Sequence, residues 1–376
     1  MRLPTELIRP LNATRRERRK PSPNYATRTL PMLRPGGSLT RRKVAKKAST
    51  LATDRGRIER HIKPLLGRMV VAEVDRADVD KFLHDVAAGK TAARVKTGRH
   101  GLARVKGGQG TATRTLGLLG AIFAYAVRHR MRTDNPCALL VKFADNRRER
   151  RLFDEEYAAL GAALRRAEAA MREVEVEGEA VSAFSVRRRT ATIWPPAIAA
   201  ARFLALTGWR LGEVVGLRWR ELDLARRTAT LTDSKTGRRV RPLSKAACDV
   251  LKAVPRLSGD RVFPPTRGGT ETVLNFKKFL PRIGKLGGLP RDITAHVLRH
   301  SFASVAADLG FSELAIAALL GHRAGTVTTR YTHHADSVLL SAADKVASRV
   351  VELMGEAGSE AAVVAPRSAI ASDCGG

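Results

Sequence analysis

The sequence predicts a mainly α-helical protein with two domains: a helical N-terminal domain and a larger, mostly helical domain that carries a small antiparallel β-sheet. Three observations support this prediction. Apolar residues recur at helical spacing through most of the chain, two short alternating runs flank a glycine-containing turn, and a charged stretch at residues 145–151 separates the two halves. The 376 residues, 44% of them hydrophobic, are enough for two cores of ordinary size.

Residues 1–49 predict a flexible basic arm. They are rich in Pro, Gly and Arg and show no apolar period. The first 50 residues carry 14 Lys and Arg but only two acids, Glu6 and Glu17. Such like-charge runs resist compaction, so the arm is expected to be solvated or to meet an anionic partner.

Residues 50–144 predict a small helical domain. Pro64 and Gly67 are expected to end its first helix. The helices are predicted from apolar residues at helical spacing: Ile58, Ile62 and Leu65; then Val79, Phe82, Leu83 and Val86 after Asp75; then Leu116, Leu119, Ile122, Phe123 and Ala126 within residues 111–130.

A basic segment at residues 90–110 interrupts this domain. It contains several glycines and no acid, which predicts a loop or a hairpin. The cations in and beside it are candidate phosphate contacts: Lys90, Arg94, Lys96, Arg99, Arg104, Lys106 and Arg114. A solvated face without a partner is the alternative interpretation.

Residues 145–151 are predicted to be a linker, and residues 152–340 to form the second domain. A hairpin is predicted from strands at 228–231 and 239–243, which flank the turn at 234–237. Residues 178–189 are expected to be irregular. The remaining predictions are helices: 153–174, 196–206, 294–309 and 313–320.

Residues 341–376 are predicted to form a C-terminal helix followed by a disordered tail that begins near residue 355. Apolar residues mark one face of the helix: Leu340, Ala343, Val346, Val350 and Leu353. Two alternatives are open for this face. It packs on its own domain, or it docks into a groove of a neighbouring protomer.

Composition also indicates the compartment and the class of partner. The net charge of +32, from 68 Lys and Arg against 36 Asp and Glu, favours a polyanion, most commonly nucleic acid. Arginine-rich codon usage is the alternative source of the total. Three scattered cysteines and no long apolar run predict a cytoplasmic protein without disulfides or membrane association.

The chemistry-bearing residues of the second domain are cations and a phenol. They are Arg210, Lys235, His296, Arg299, His322 and Tyr331. Arginine among the candidates argues against a metal centre, because a fixed cation repels a metal ion. Paired guanidinium groups instead suit the non-bridging oxygens of a phosphate. We therefore expect no metal and no other cofactor.

Four short motifs resemble those of the tyrosine recombinase (phage integrase) family. They are TGWRLGE at 207–213, HVLRH at 296–300, LGH at 320–322 and RY at 330–331. Their order agrees with the family, as does the spacing of nine residues from His322 to Tyr331. The resemblance covers roughly residues 50–340, since the helical domain is also similar to the family's core-binding (SAM-like) domain.

This resemblance implies a site-specific DNA recombinase that needs neither metal nor ATP and that integrates or excises a mobile element. Tyr331 would attack the scissile phosphate and form a 3′-phosphotyrosyl link. Arg210 and Arg299 would neutralise the phosphorane, and His322 would donate to a non-bridging oxygen.

The resemblance implies supporting roles for four other residues. Lys235 would protonate the departing 5′-oxygen, and His296 would assist proton transfer from the tyrosine. Glu213 is expected to brace Arg210 rather than act as an acid. His300 is expected to be a core residue or a support for the site.

The implied partners are double-stranded DNA, three further protomers in a homotetramer on two DNA sites, and an accessory directionality factor. Residues 1–49 look too short for the folded N-terminal domain with which many integrases bind separate arm-type sites, so arm binding is absent or the element is degenerate.

Two rival functions stay open: a type IB topoisomerase, and a DNA-binding accessory protein that retains the fold. A serine recombinase is disfavoured, because no serine motif lies near the N-terminus.

Overall fold

The computed structural model describes residues 46–99, 101–144, 150–176, 193–231, 239–257, 259–266, 274–322 and 336–356. It divides into two compact units, Met1–Arg147 and Arg148–Gly376. Several predictions lie outside the described residues. These are the basic arm up to residue 45, the irregular segment at 178–189, most of the linker, the turn with Lys235, the segment with Tyr331, and the tail after residue 356.

The first unit is built from helices that follow the predicted apolar spacing. Asp75 caps one of them in a reciprocal pair of hydrogen bonds with Asp78, which satisfies two free backbone N–H groups. The helices are α1 (Ala48–Arg57), α2 (Lys63–Leu66), α3 (Arg76–Ala87) and α4 (Gln109–Arg128). The buried side chains of this unit form one core: Ile58, Ile62, Val74, Val79, Phe82, Leu83, Val86, Ala112, Leu116, Leu119, Ile122 and Phe123.

The prediction that Pro64 ends the first helix is wrong. The chain forms a π-helical turn at Ile58–Ile62, where the Lys63 N–H donates to the carbonyl of Ile58. Pro64 then lies in the first turn of α2, where a missing N–H is tolerated. The wider turn accommodates the proline, and the helical path ends at Gly67 as predicted.

The basic segment of the first unit forms a hairpin. Strands β1 (Ala93–Gly98) and β2 (Gly101–Val105) pair antiparallel, with Arg94 opposite Arg104 and Lys96 opposite Leu102. Because partners across an antiparallel pair share a face, these four residues lie on one side of the ribbon. The unit is therefore a helical domain with one added two-stranded hairpin.

The second unit is mostly helical, with one three-stranded antiparallel sheet. The strands lie in the order β3 (Leu222–Asp223), β4 (Thr228–Leu231) and β5 (Arg239–Pro242), so the predicted hairpin is confirmed and a short strand joins it. Within the described part of the chain, no helix is both long and apolar enough to cross a bilayer. The helices are α5 (Asp154–Val176), α6 (Pro195–Thr207), α7 (Leu211–Gly216), α8 (Lys245–Ala253), α9 (Phe276–Leu286), α10 (Ala295–Asp308), α11 (Glu313–Leu320) and α12 (Asp336–Leu353).

Helix α6 forms the centre of the second unit. It is apolar nearly all round and buried along most of its length, as expected for a helix surrounded by protein. It packs against α5, α7, α8, α9, α10 and α12. This central position fixes the segment that follows the helix, residues 208–210, relative to the rest of the unit.

The C-terminal helix packs on its own domain. Val346, Val350 and Met354 are fully buried in the core of the second unit. Arg227, the residue before β4, donates from Nη1 to both carboxylate oxygens of Asp344 in this helix at 2.8 Å. This ion pair ties the helix to the sheet. Of the two alternatives for this face, the structure therefore shows the packing of α12 on its own domain. The helix also runs through the boundary placed at residue 340.

Candidate active site

Three of the predicted site residues converge where three segments of the second unit meet. Arg299 of α10 is buried, and its Nη1 donates to the carbonyl of Gly208 at 2.8 Å. Its Nη2 donates to the carbonyl of Leu320 at 2.9 Å and lies 2.9 Å from His322 Nε2. Arg210 Nη1 donates to the carbonyl of Gly321 at 3.1 Å. The two arginines thus tie the segment after α6 to the turn after α11.

Glycines make the sharp turns that this convergence requires. Gly208 ends α6 with φ +59°, and Gly321 ends α11 with φ +65°, both in the left-handed region that glycine adopts without strain. A Cβ at residue 208 would lie 2.7 Å from the ring of Phe302. A Cβ at residue 321 would lie 2.3 Å from Nη1 of Arg241. These contacts explain Gly208 of the first motif and Gly321 of the third.

Glu213 lies behind this cluster and binds two arginines. Its Oε1 accepts from Arg210 Nη1 at 3.0 Å, and its Oε2 accepts from the Arg210 backbone N–H at 3.1 Å. Arg241 Nη1 donates to Oε2 at 3.2 Å. The Glu213 side chain is only 7% exposed, so these donors replace water around its charge. Its position fits the bracing role that the sequence predicts.

Arg241 is a site residue that the sequence analysis missed. It is 2% exposed, its guanidinium lies 4.7 Å from the centre of the Trp209 ring, and Nη2 donates to the carbonyl of Leu319. The strand register explains why this side chain is buried. Ala229 is fully buried and pairs with Arg241, so the same face of β5 points inward and Val240 points out.

The cluster carries more positive than negative charge. Three guanidinium groups surround one carboxylate, and burial lowers the pKa of Arg241 to about 9 and that of Arg299 to about 10, with further lowering by neighbouring arginines. Both remain cationic at neutral pH. An anion bound here would relieve their mutual repulsion, so the arrangement suits a phosphate group.

His322 is neutral in this environment. Burial, followed by the charges of Arg299 and Arg210, lowers its pKa below the ordinary value. Because a guanidinium has no acceptor, Nε2 of His322 accepts from Arg299, which leaves the proton on Nδ1. The Arg239 side chain donates to the His322 carbonyl at 2.6 Å and holds the residue at the end of the turn.

The two histidines of α10 contact each other. His296 and His300 are exposed, and their Nε2 atoms are 3.0 Å apart. His300 is therefore not a core residue. Burial, followed by the charges of His296 and Arg299, lowers the pKa of His300. Lys235 and Tyr331 lie outside the described residues.

The candidate phosphate contacts of the first unit are all exposed. Arg94 and Arg104 lie directly opposite each other, which destabilises a ribbon unless an anion lies between or beside them. Lys90 forms an ion pair with Asp85. The exposed set comprises Lys90, Arg94, Lys96, Arg99, Arg104, Lys106 and Arg114.

The comparisons with known proteins agree with one another. The model of the Phage integrase family matches residues 177–337. Tyrosine recombinase XerC of Xanthomonas campestris pv. campestris is 32% identical over 131 residues, which are 34% of this chain and 41% of that protein. Tyrosine recombinase XerD of Listeria monocytogenes is 33% identical over 140 residues, which are 35% of this chain and 47% of that protein. The chain thus spans less than half the length of these relatives.

Solved structures show a similar fold. A lambda integrase dimer bound to a COC′ core site is similar over 77% of this chain and 93% of that chain, with a TM-score of 0.53 and 18% identity. A lambda integrase tetramer bound to a Holliday junction is similar over 75% of this chain and 74% of that chain, also with a TM-score of 0.53 and 18% identity. At this identity the likeness establishes the fold, and it confirms the mainly α-helical prediction.

Proposed function

We propose that this chain, which carries a phage integrase family domain over residues 177–337, is a tyrosine-type site-specific DNA recombinase that integrates or excises a mobile element. The observation that carries this proposal is the convergence of Arg210, Arg299 and His322 on a site with surplus positive charge. The tyrosine that the motif order assigns as nucleophile, Tyr331, follows His322 by nine residues.

The arginines stabilise the transition state of DNA cleavage. When the Tyr331 oxygen attacks phosphorus, negative charge grows on the non-bridging oxygens, and Arg210 and Arg299 offset that charge. Hydrogen bonds to the carbonyls of Gly208 and Leu320 hold Arg299 in place before DNA arrives. Preorganised donors of this kind perform the electrostatic work without a metal ion.

Proton transfers complete the exchange of one phosphodiester for another. The bond from phosphorus to the 5′-oxygen breaks as the bond to the Tyr331 oxygen forms, and Lys235 protonates the departing oxygen. His296 receives the tyrosine proton, and the neighbouring imidazole of His300 can share it. Rejoining reverses these steps with a 5′-hydroxyl as nucleophile. A phenol with pKa about 10 needs this assistance at neutral pH.

His322 donates to a non-bridging oxygen in this scheme, and its observed contact restricts how. Nε2 accepts from Arg299, so either Nδ1–H is the donor or DNA binding separates the two side chains. In the absence of DNA, the lowered pKa favours the neutral form of His322 at neutral pH. A bound phosphate would oppose this lowering of the pKa, because its negative charge favours the imidazolium.

The first unit supplies contacts to the DNA backbone. The hairpin of β1 and β2 presents Arg94, Lys96 and Arg104 on one face of an acid-free ribbon. Three further cations, Arg57, Arg60 and Lys106, line a cavity of about 560 Å³ together with Arg104 of the hairpin. Contacts of this type set the position of the protein on DNA without reading its sequence.

The proposed function also includes assembly of several protomers on DNA. The similar lambda integrase structures include a dimer and a tetramer, and a homotetramer on two DNA sites is the corresponding assembly here. Because α12 is part of its own core, truncation at residue 338 would remove core side chains. Deletion of residues 357–376 is the cleaner test of whether the C-terminus links protomers. An accessory directionality factor would act on this assembly.

A covalent-adduct assay tests the proposed function. The full-length protein is incubated in EDTA with nicked duplexes from the DNA that flanks its own gene, and denaturing gels are examined for a protein–DNA adduct. We expect an adduct with the native protein and none with Tyr331→Phe. DNA relaxation without strand exchange would favour the topoisomerase alternative. DNA binding without any adduct would favour the accessory protein.

A further inference from the structure

We propose that Arg241 is a positioning residue that takes up the charge of Glu213, so that Arg210 keeps its own charge for the scissile phosphate. This inference rests on the proposed function, since it assigns a role within the same site. It concerns a residue outside the four sequence motifs, on the edge strand of a small sheet.

The contacts of Glu213 divide its carboxylate between two arginines. Oε1 accepts from Arg210 Nη1 at 3.0 Å, whereas Oε2 accepts from Arg241 Nη1 at 3.2 Å. Oε2 also accepts from the backbone N–H of Arg210 at 3.1 Å. Both hydrogen bonds that the Arg210 side chain makes to described residues come from Nη1. Within the described part of the chain, Nε and Nη2 of Arg210 therefore remain available to donate hydrogen bonds to a phosphate.

The side chains of Arg241 and Glu213 are more deeply buried than that of Arg210, as the proposal requires. The side chain of Arg241 is 2% exposed and that of Glu213 is 7% exposed, whereas that of Arg210 is 31% exposed. Glu213 and Arg241 form a nearly buried ion pair, and Arg210 is the more exposed partner of Glu213. If Arg241 lost its charge, Arg210 would be the one described side chain that still donates to the buried carboxylate, and little water is present to solvate that charge.

Arg241 also contacts both segments that present the site. Its guanidinium stacks on Trp209, the residue before Arg210, and donates to the carbonyl of Leu319 at the end of α11. The close approach of Gly321 leaves no room for a Cβ beside it. A buried, unscreened arginine is unfavourable for folding unless its partners compensate, and its lowered pKa reflects that burial. A role in the site would account for this unfavourable burial.

A double-substitution experiment separates this electrostatic role from a purely structural one. Arg241→Met keeps the bulk of the side chain and removes its charge. Glu213→Gln removes the carboxylate charge but keeps an oxygen that accepts from the Arg210 backbone N–H. We expect Arg241→Met to slow adduct formation about 100-fold. Addition of Glu213→Gln should restore at least about tenfold of that loss, because Arg210 is again free of a counter-charge.

Binding of inorganic phosphate gives a second measure that requires no knowledge of the DNA site. Phosphate affinity of the full-length protein is measured by calorimetry, and the part that Arg210→Ala removes is assigned to the site. This part should weaken in Arg241→Met, weaken less in Arg241→Lys, and recover in the double variant. Absence of DNA cleavage by the native protein would contradict the proposed function while leaving this comparison intact.

Folding is checked by circular dichroism and thermal melting for every variant. A double variant as slow as, or slower than, Arg241→Met, with phosphate affinity likewise not recovered, would overturn the proposal. Equal losses in Arg241→Lys and Arg241→Met would overturn it as well, since charge would then be irrelevant. Recovery of both measures in the double variant supports it.

Discussion

The two units of this protein both gather cations, and they place them in opposite ways. The first unit exposes Arg94, Lys96 and Arg104 on a ribbon that has no acid to pair them. The second unit buries Arg241 and Arg299 among carbonyl groups and a single carboxylate. Exposed cations are screened by salt and act roughly in proportion to their number. Buried cations act through geometry, so each one matters individually.

The largest effect is expected at the buried arginine of α10. Arg299→Ala removes hydrogen bonds to the carbonyls of Gly208 and Leu320 and the contact with His322. We expect adduct formation to fall about 1000-fold, because the loss of a preorganised donor at a developing charge is of this order. Single-turnover cleavage of a nicked duplex measures it. A loss below tenfold would contradict the role of the buried cluster.

Stability should be sensitive at the glycine beside Arg241. Gly321→Ala places a Cβ 2.3 Å from Arg241 Nη1 at a residue with φ +65°. We expect a loss of about 1–3 kcal/mol in the free energy of unfolding. Urea unfolding of the full-length protein measures it. The matched control is Gly216→Ala in α7, where a Cβ meets no atom within 4 Å and φ is not positive. Equal effects of the two substitutions would show that the packing at Gly321 is unimportant.

Local sequence patterns were enough to predict several elements and part of the candidate site. Helices α3, α4, α10 and α11 follow from apolar spacing, and the paired strands β4 and β5 follow from alternation around a turn. Arg210, Arg299 and His322 stand in recognisable motifs, so their convergence was expected. Helix α9 was not predicted, since it contains Pro281.

Features that depend on tertiary contacts escaped the sequence. Arg241 was missed because a cation in a short strand is ordinarily exposed, and only the register with Ala229 turns it inward. The partner of α12 was left open, because an apolar helix face does not specify what covers it. The π-turn before Pro64 depends on a local hydrogen-bond shift that residue preferences do not reveal.

Smaller effects are expected from the exposed ribbon. Arg94→Ala and Arg104→Ala should each weaken DNA binding and reduce the slope of log affinity against log salt by about 0.9 if each residue contacts one phosphate. Fluorescence anisotropy at several salt concentrations measures the slope. Lys252→Ala removes an exposed cation of α8 and serves as the control. Slopes that stay at the native value in both ribbon variants would remove the hairpin from the DNA interface.

The smallest expected effect is a pH dependence of stability from the first unit. His61 is buried and lies 2.6 Å from Thr91 Oγ1, and burial, followed by Arg60 and Arg57, lowers its pKa. Its stabilising contribution as a neutral group is present above the unfolded pKa near 6.5 and decreases as pH falls below that value, because the unfolded chain binds the proton more readily.

Urea unfolding at pH 7.5 and pH 5.5 measures this dependence. His61→Gln should reduce the difference between the two pH values, whereas His84→Gln, a change at an exposed histidine of α3, is the control. A difference unchanged by His61→Gln would place the pH sensitivity elsewhere.

The proposed function requires that the chain cleaves DNA by forming a phosphotyrosine. Its most direct test is mass spectrometry of the adduct formed on a nicked duplex in EDTA, after the protein is digested with a protease and the DNA is trimmed with a nuclease. The account predicts a nucleotide attached through its 3′-phosphate to the peptide that contains Tyr331, together with release of a 5′-hydroxyl strand. Attachment to another residue, or cleaved DNA without any attached nucleotide, would contradict it.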